Sequence, residues 1–440
     1  MQQRPEPPTV CVVNAVDTLR AIAGRAPAGA ETIAECFPQQ DQAIFWQPAE
    51  KLIVTAAPIA ELDWQTGFLG LPGIVNAVPA KSSGPLFTDI LDDRDLMARL
   101  VEHAGPARRF RLVPHTTTPE LWTFAETMRS AHGVTVELPE SCERQELRDL
   151  LDTKSGLRDL VADLGLTGGR CRTAPGRHCT GLVEARNAVL ALLGRGRPCI
   201  VKADKGEASV GLLVFRPGDR EDHIARELAS SSYYGDDPIV VEEYIDGAGV
   251  VFPSVEYVVP ADPGRAPYLT HACEMLFEAP TLLRGNVTAP SFIGEKWYEP
   301  FRAGSRVIAD ELQRRGYQGH FGIDAVAAAD GEVIMLDLNA RRTGSTHVHD
   351  FGLRFFGTGY QRHQAVGNHD FYGLPAGTPF AEVLDLLGPL VRRPEAGASG
   401  VVPCELTGLA TGRLSCMIYA PTLTGFHELV RNVRDRIERG

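Results

Sequence analysis

Two carboxylates and an amide stand at a spacing that suits a divalent cation. The segment G-I-D-A-V-A-A-A-D-G-E-V-I-M-L-D-L-N-A-R-R-T-G places Asp324 in one apolar run and Asp337 and Asn339, two apart, in the next. Residues two apart on a strand share a face. The D-G turn signal between the runs predicts a hairpin that brings Asp324 to the pair. Oxygen-only ligands of this kind suit Mg2+, which keeps waters and takes phosphate oxygens as further ligands. Acids set among Ile, Met and Leu are costly unless they bind metal or pair. Arg341 follows two residues on, where its guanidinium could hold a carboxylate or an acyl phosphate through two hydrogen bonds.

Three further segments carry phosphate and ring chemistry. In V-K-A-D-K-G-E-A-S-V-G, 201–211, a Lys leaves an apolar strand and a turn with Gly206, Ser209 and Gly211 follows. Small residues let backbone N–H groups approach phosphate oxygens, and Lys202 supplies a compact charge. The G-x-x-x-x-G-K-[ST] order of a P-loop is absent, so this is a different device. In V-V-E-E-Y-I-D-G, 240–247, Glu242 and Glu243 precede Tyr244 and Ile245, an apolar slot with hydrogen-bonding edges that could take an adenine ring. In L-L-D-T-K-S-G-L-R-D-L, Lys154 sits at the head of a helix.

The elements that must position these residues are legible from periodicity. Strands are expected at 10–13, 51–57, 109–113 and 134–138, with a helix from Thr118 and Pro119 to Arg129 closed by Gly133. Strand, helix and strand at these lengths make a βαβ unit, hence a parallel sheet. A helical stripe runs over 143–165, interrupted near 153–156, and 167–181 reads as a Gly- and Arg-rich loop. A helix at 182–193 and strands at 198–201, 211–215 and 239–245 follow. An antiparallel pair at 255–259 and 268–277, an amphipathic helix at 302–316 and the acid hairpin at 321–328 and 332–338 complete the centre. Beyond 350 the chain reads as Gly-rich until a hairpin at 401–406 and 413–419 and a short final helix.

Composition bounds the rest. A chain of 440 residues with 44% hydrophobic and 23% charged residues is globular, and about 150 residues per domain suggests roughly three units. No apolar run reaches about 18 residues, so no membrane span is expected. The N-terminus has no apolar stretch behind Arg4, so no signal peptide is read and a cytoplasmic protein is expected. A net charge of −12 argues against a general nucleic-acid binder. Of 44 basic residues only six are Lys, leaving 38 Arg, which makes Lys154 and Lys202 stand out. The nine Cys are scattered, and Cys171, His178 and Cys179 fit no common zinc spacing, so buried thiols are expected. His347 and His349 are read as packing or substrate contacts, Arg284 as a surface residue.

Together the four segments resemble the ATP-grasp superfamily of carboxylate–amine ligases, in the family's order, over roughly 150–350. The acid before Asn is here Asp337, where the family often has Glu. The R-R-T-G-S-T-H run and the 90-residue tail look closest to bacterial peptide ligases of the pheganomycin-biosynthesis type. The resemblance implies an α/β fold: a Rossmann-like N-terminal domain at 1–148, a small ATP-grasp subdomain at 149–245, and a large one with a C-terminal extension at 246–440. It implies ATP and Mg2+ as cofactors, with Lys154 and Lys202 on the phosphates. Gly206, Ser209 and Gly211 would close over them. Glu242, Glu243, Tyr244 and Ile245 would hold adenine, and Glu256 or a member of the 246–249 turn the ribose. Asp324, Asp337 and Asn339 are the implied metal ligands, and Arg341 and Lys202 the catalytic residues. The implied reaction joins a carboxylate to an amine or peptide through an acyl phosphate, by a route that needs positioning more than covalent help. A different acceptor and a catalytically silent nucleotide-binding module are the competing readings. No nucleic acid or membrane partner is implied, and a homodimer is among the states the family adopts.

Overall fold

The computed structural model describes residues 6–15, 17, 37–82, 84–205, 211–231, 234, 237–279 and 282–439. Three sheets organise them. The first is all parallel. Thr9–Val12 lies between Lys51–Val54 and Arg109–Pro114, with Ile74–Ala77 and Thr135–Glu137 at the edges. Its central strand is buried throughout because both faces are covered. Val10 and Val12 bury with Phe87 and Phe124, while Cys11 buries on the other side with Phe45 and Trp46. The helix Pro119–His132 joins two parallel strands, as expected. Gly133 closes it at φ 61°, a left-handed backbone that costs glycine nothing.

The second sheet is antiparallel, in the order Gly176–Cys179, Ile239–Glu243, Cys199–Ala203, Leu212–Phe215. The helices Leu182–Leu193 and Glu221–Ser230 cover one face, where Val201 and Val241 are buried. Strand alternation therefore puts Lys202, Val240 and Glu242 on the opposite face.

The third sheet has nine strands. Gly400–Cys404, Leu414–Ala420, Ala365–Phe371, Leu282–Thr288, Tyr268–Ala279, Pro253–Val259, Gly319–Ala327 and Val333–Asn339 pair antiparallel in that order. Cys171–Thr173 adds to the last of them in parallel. The helix Tyr298–Arg314 packs Phe301, Ile308 and Leu312 into the core beneath this sheet.

Several expectations are corrected. The presumed loop 167–181 holds two strands, one in each of the last two sheets, because their partners lie far along the chain. Past residue 350 the helix Thr346–Phe356 continues and Ala365–Phe371 is an interior strand. The final helix, Leu423–Arg439, is 17 residues long rather than short. The interruption expected near 153–156 falls at Asp152 and Thr153, between the helices Gln145–Leu151 and Lys154–Asp163. Thr153 accepts the Gly156 N–H at 3.0 Å and so caps the second helix. That helix, expected with the smaller unit, buries Leu157, Leu160 and Val161 in the core of the nine-stranded sheet.

The eight described cysteines are free and buried, with Cys171 and Cys179 in different sheets. Cys36 lies outside the described residues. Among those residues no helix is long and apolar enough to cross a membrane.

Candidate active site

The hairpin Gly319–Ala327 and Val333–Asn339 delivers the acids as their spacing requires. Asp324 lies across from Asp337, and Gly322 across from Asn339. The register slips just after Asp324, leaving Leu336 as the extra residue. Asn339 Nδ2 donates to Asp324 Oδ2 at 2.9 Å. Burial raises the Asp324 carboxyl above its usual range and the charge of Asp337 adds to this, against a hydrogen bond with Ser254. Two carboxylates facing each other are relieved by a divalent cation, and an oxygen-only set fits Mg2+. No group of three or more His, Cys, Asp and Glu gathers among the described residues, so this trio of two acids and an amide would leave coordination positions for water and phosphate.

Lys154 reaches these acids, and Lys202 is joined to its helix through Asp204. Lys154 Nζ lies 3.2 Å from Asp337 Oδ2, with its side chain buried at the head of its helix. Lys202, buried on its strand, is ion-paired with Glu242 of the neighbouring strand. Asp204 ties the two lysines together. Its carbonyl accepts from Lys154 N at 3.1 Å and its Oδ1 from Ser155 N at 2.7 Å. Glu242 Oε2 also accepts from Arg158 Nη1 at 2.9 Å.

The remaining linker residues divide. Glu243 turns outward to Arg197, at 2.7 and 2.6 Å. Tyr244 N donates to Pro198 O at 2.9 Å, and Arg216 stacks over its ring. Ile245 packs in a small apolar cluster with Ala174, Phe252, Val326, Ile334 and Leu336. Val326 and Ile334 are paired and share the face of Asp324 and Asp337. One face thus runs from an apolar patch, through the acids, to Arg341. Gly206 and Ser209 lie outside the described residues. Gly211 closes the turn, its carbonyl accepting from Ala203 N at 3.1 Å.

Arg341 is held by a residue that sequence reasoning missed. Its Nη1 donates to Asp152 and its Nη2 to Asn339 Oδ1, the latter at 2.9 Å. Asp152 Oδ1 also accepts from Ala340 N at 3.0 Å. Asp152, Arg158 and Asp204 all sit inside or beside the quoted motifs. The D-T that breaks the helix and K-A-D mark positions but not roles, because their partners are non-local.

Glu256 corrects the ribose assignment. It is 1% exposed, deep in the sheet. Its carboxylate bonds His320 Nδ1 at 3.0 Å, Thr343 Oγ1 at 2.8 Å and the Thr346 hydroxyl. Both oxygens are engaged by protein groups and the side chain is buried, so Glu256 fixes the turn after Asn339 and does not face a sugar. Gly322 lets that turn approach, since a Cβ there would meet Thr343 Cγ2 at 2.5 Å. Asp246, the other expected acid, is bound to Arg216 at 2.6 Å.

His347 and His349 pack, as read. His347 lies 3.3 Å from Glu405 Oε1, and His349 stacks on His271 with centroids 4.8 Å apart. Arg284 pairs with Glu278 and lies over the Tyr372 ring at 4.2 Å. Arg342 binds Glu140 at 2.5 Å and stacks on Trp46.

No protein-family model and no curated protein sequence matches the chain. Solved structures do. An N5-carboxyaminoimidazole ribonucleotide synthetase in its ADP complex is 14% identical, with a TM-score of 0.57 over 100% of this chain and 99% of that one. The biotin carboxylase domain dimer of Hydrogenobacter thermophilus 2-oxoglutarate carboxylase, solved with MgADP, ADP and bicarbonate, is 13% identical. Its TM-score is 0.56 over 98% of this chain and 90% of that one. N5-carboxyaminoimidazole synthetase from Staphylococcus aureus with ADP is 10% identical, with a TM-score of 0.55 over 99% of each. The chain therefore has the ATP-grasp fold with an N-terminal α/β domain.

Proposed function

We propose that this protein is an ATP-dependent carboxylate–amine ligase. The observation that carries the reading is the chain of contacts from the strand of Lys202 through Asp204 to Lys154, whose ammonium meets Asp337 on a face that continues through Asp324 and Asn339 to Arg341. Adenine takes the apolar patch around Ile245, and the two lysines take the phosphates. Asp324, Asp337 and Asn339 hold Mg2+, which supplies charge neutralisation to the phosphoryl oxygens. Arg341 orients the substrate carboxylate. One carboxylate oxygen attacks the γ-phosphorus, the bond to the ADP oxygen breaks, and an acyl phosphate results. An amine then attacks the acyl carbon, phosphate leaves, and the amine gives up a proton. The four-stranded sheet would serve as the lid that covers the phosphates and keeps water from the acyl phosphate. The finer reading, an amino acid joined to a peptide in secondary metabolism, is supported by the R-R-T-G-S-T-H run and the long tail.

The test is ADP release with Mg-ATP and pooled amino acids and short peptides, with and without hydroxylamine. Acid-dependent ADP with a hydroxamate detected by mass spectrometry is the expected result. ATP binding with no ADP from any pool would instead support a silent nucleotide-binding module.

The Arg341 anchor gives a second expectation. Asp152→Ala should lower acid-dependent turnover by about 10–100-fold, the usual cost of removing an orienting partner. ATP affinity should fall less, because the hydrogen bonds of Asp152 go to Arg341, Ala340 and Arg148 rather than to either lysine. Titration calorimetry with ATP beside a steady-state ADP assay separates the two, and an equal loss in both would contradict the assignment.

A further inference from the structure

Beyond Arg341 the face opens into a cavity of about 180 Å³. Asp324 and Asn339 lie at its metal end, and Arg341 and Asn286 stand on its walls. Gln39 and Gln42 line it too, and they come from a distant part of the chain, the 3-10 helix Phe37–Ile44. A cavity of about 180 Å³ lies below the roughly 300–1,000 Å³ of pockets that take drug-sized ligands. That suits a ligand the size of a small amino acid rather than a nucleotide or a folded peptide. Arg341, Arg342 and Asn286 bring donors to the lining, beside the apolar Met275 and Leu283. Asp324, the one carboxylate among the described lining residues, is already assigned to the metal. An anionic ligand with a polar group beside its charge fits such a wall.

The segment that carries the two glutamines is locked in place by the far end of the chain. Asp41 accepts from Thr407 N at 3.0 Å and from Thr407 Oγ1 at 2.8 Å. Gln42 Nε2 donates to Glu405 Oε1 at 3.3 Å, which leaves Gln42 Oε1 to accept from a ligand N–H or O–H. Glu405 is 2% exposed and also binds Arg413 at 2.8 Å and His347 at 3.3 Å. Its φ of 48° is left-handed backbone, a strained state for a side chain other than glycine. A buried acid in a strained conformation, bound by three separate segments, is a hub worth more than a surface link. It gives the tail beyond Arg341 a task.

We infer that this cavity receives the acid to be activated, that the acid is small, polar and of amino-acid size, and that Gln39 and Gln42 read the polar group beside its carboxylate. Asp41 and Glu405 are positioning residues that hold those glutamines. The same chemistry is presented by a free amino acid and by the last residue of a peptide, so both are probes. This inference rests on the ligase reading above.

The experiment compares wild type, Gln39→Leu, Gln42→Leu and Glu405→Gln by hydroxamate formation with Mg-ATP and hydroxylamine. One arm uses the twenty free amino acids and the other N-acetylated dipeptides ending in the same residues. Wild type should activate small polar acids in preference to Leu, Phe or Trp. Each variant should raise KM for the preferred acid about tenfold while KM for ATP stays put. A merely structural role for Glu405 would lower kcat for every acid and leave the acid's KM alone. Which arm yields product identifies the source of the acid. Hydroxamate from wild type with unchanged acid KM in both glutamine variants would overturn the inference and leave the ligase standing. Equal activation of large apolar acids would do the same. No hydroxamate from wild type in either arm would overturn both.

Discussion

Asp337→Ala should cut ADP formation by roughly a thousandfold, with no comparable loss of folding stability. The magnitude follows from removing a charge that holds the group neutralising the transferring phosphoryl oxygens, an effect worth several kcal/mol. Asp337 faces Asp324 across the hairpin and touches Lys154, so its loss disturbs both halves of the phosphate site. Its side chain is 24% exposed, so the hole fills with water and the strand pairing survives. Lys202→Met should give a similar loss by a different route, since it leaves Glu242 paired only with Arg158 and takes a charge from the phosphates. Steady-state ADP assays beside thermal unfolding decide the matter. Full turnover in both variants would remove the site from this face.

Glu256→Ala carries the largest expected effect on stability. Deleting one member of a buried ionic network costs about 3–5 kcal/mol, because the partners are left without an acceptor. Here those partners are His320, Thr343 and Thr346, and the last two belong to the turn that follows Asn339. Glu256→Gln should cost less, since its amide oxygen still accepts. The pH dependence has a definite sign. Burial alone would raise this carboxyl, but the hydrogen bond and charge of His320, then His271 and the Thr346 hydroxyl, hold it below the ordinary value of 4.5. A depressed acid stabilises the fold fully above its unfolded pKa and loses that contribution as pH falls below it. Wild type should therefore lose stability below about pH 4.5 more steeply than Glu256→Gln. Parallel acid unfolding curves would show that Glu256 is not held this way.

The chemistry of the acid hairpin was legible because it is local. A turn signal, a two-residue spacing and an apolar background fixed Asp324, Asp337 and Asn339 on one face before any tertiary contact was known. The helix break before Lys154 was legible for the same reason, since Thr153 caps within its own turn. What could not be read depends on partners far along the chain. Cys171–Thr173 is too short to show a period and becomes a strand only beside Val333. Ala365–Phe371 carries Asn368 and His369 inward, so its alternation is masked by polar residues buried between two neighbours. Asp152 carries no local signal for its role, since its bond to Arg341 spans 189 positions. Glu256 misled because an acid after a linker was expected to face a ligand, whereas the register turns it toward His320 and the turn at 343–346.

The four-stranded sheet is an insertion between two strands of the nine-stranded one: the chain leaves after Thr173 and returns at Pro253. The outgoing and returning crossings are bonded to each other, Glu243 N to Pro175 O at 2.9 Å, and pack together through Ala174, Ile245 and Phe252. A body hung by one strand can tilt in any direction. A body hung by two adjacent strands swings about a single line, as a door does on paired hinges, once the latch of Asp204 and Glu242 on the helix Lys154–Asp163 is released. That line passes beside the apolar patch, so Lys202 would travel along an arc while Ile245 scarcely shifts. A ring seated at the hinge stays put while the charged end of the same molecule is covered and uncovered.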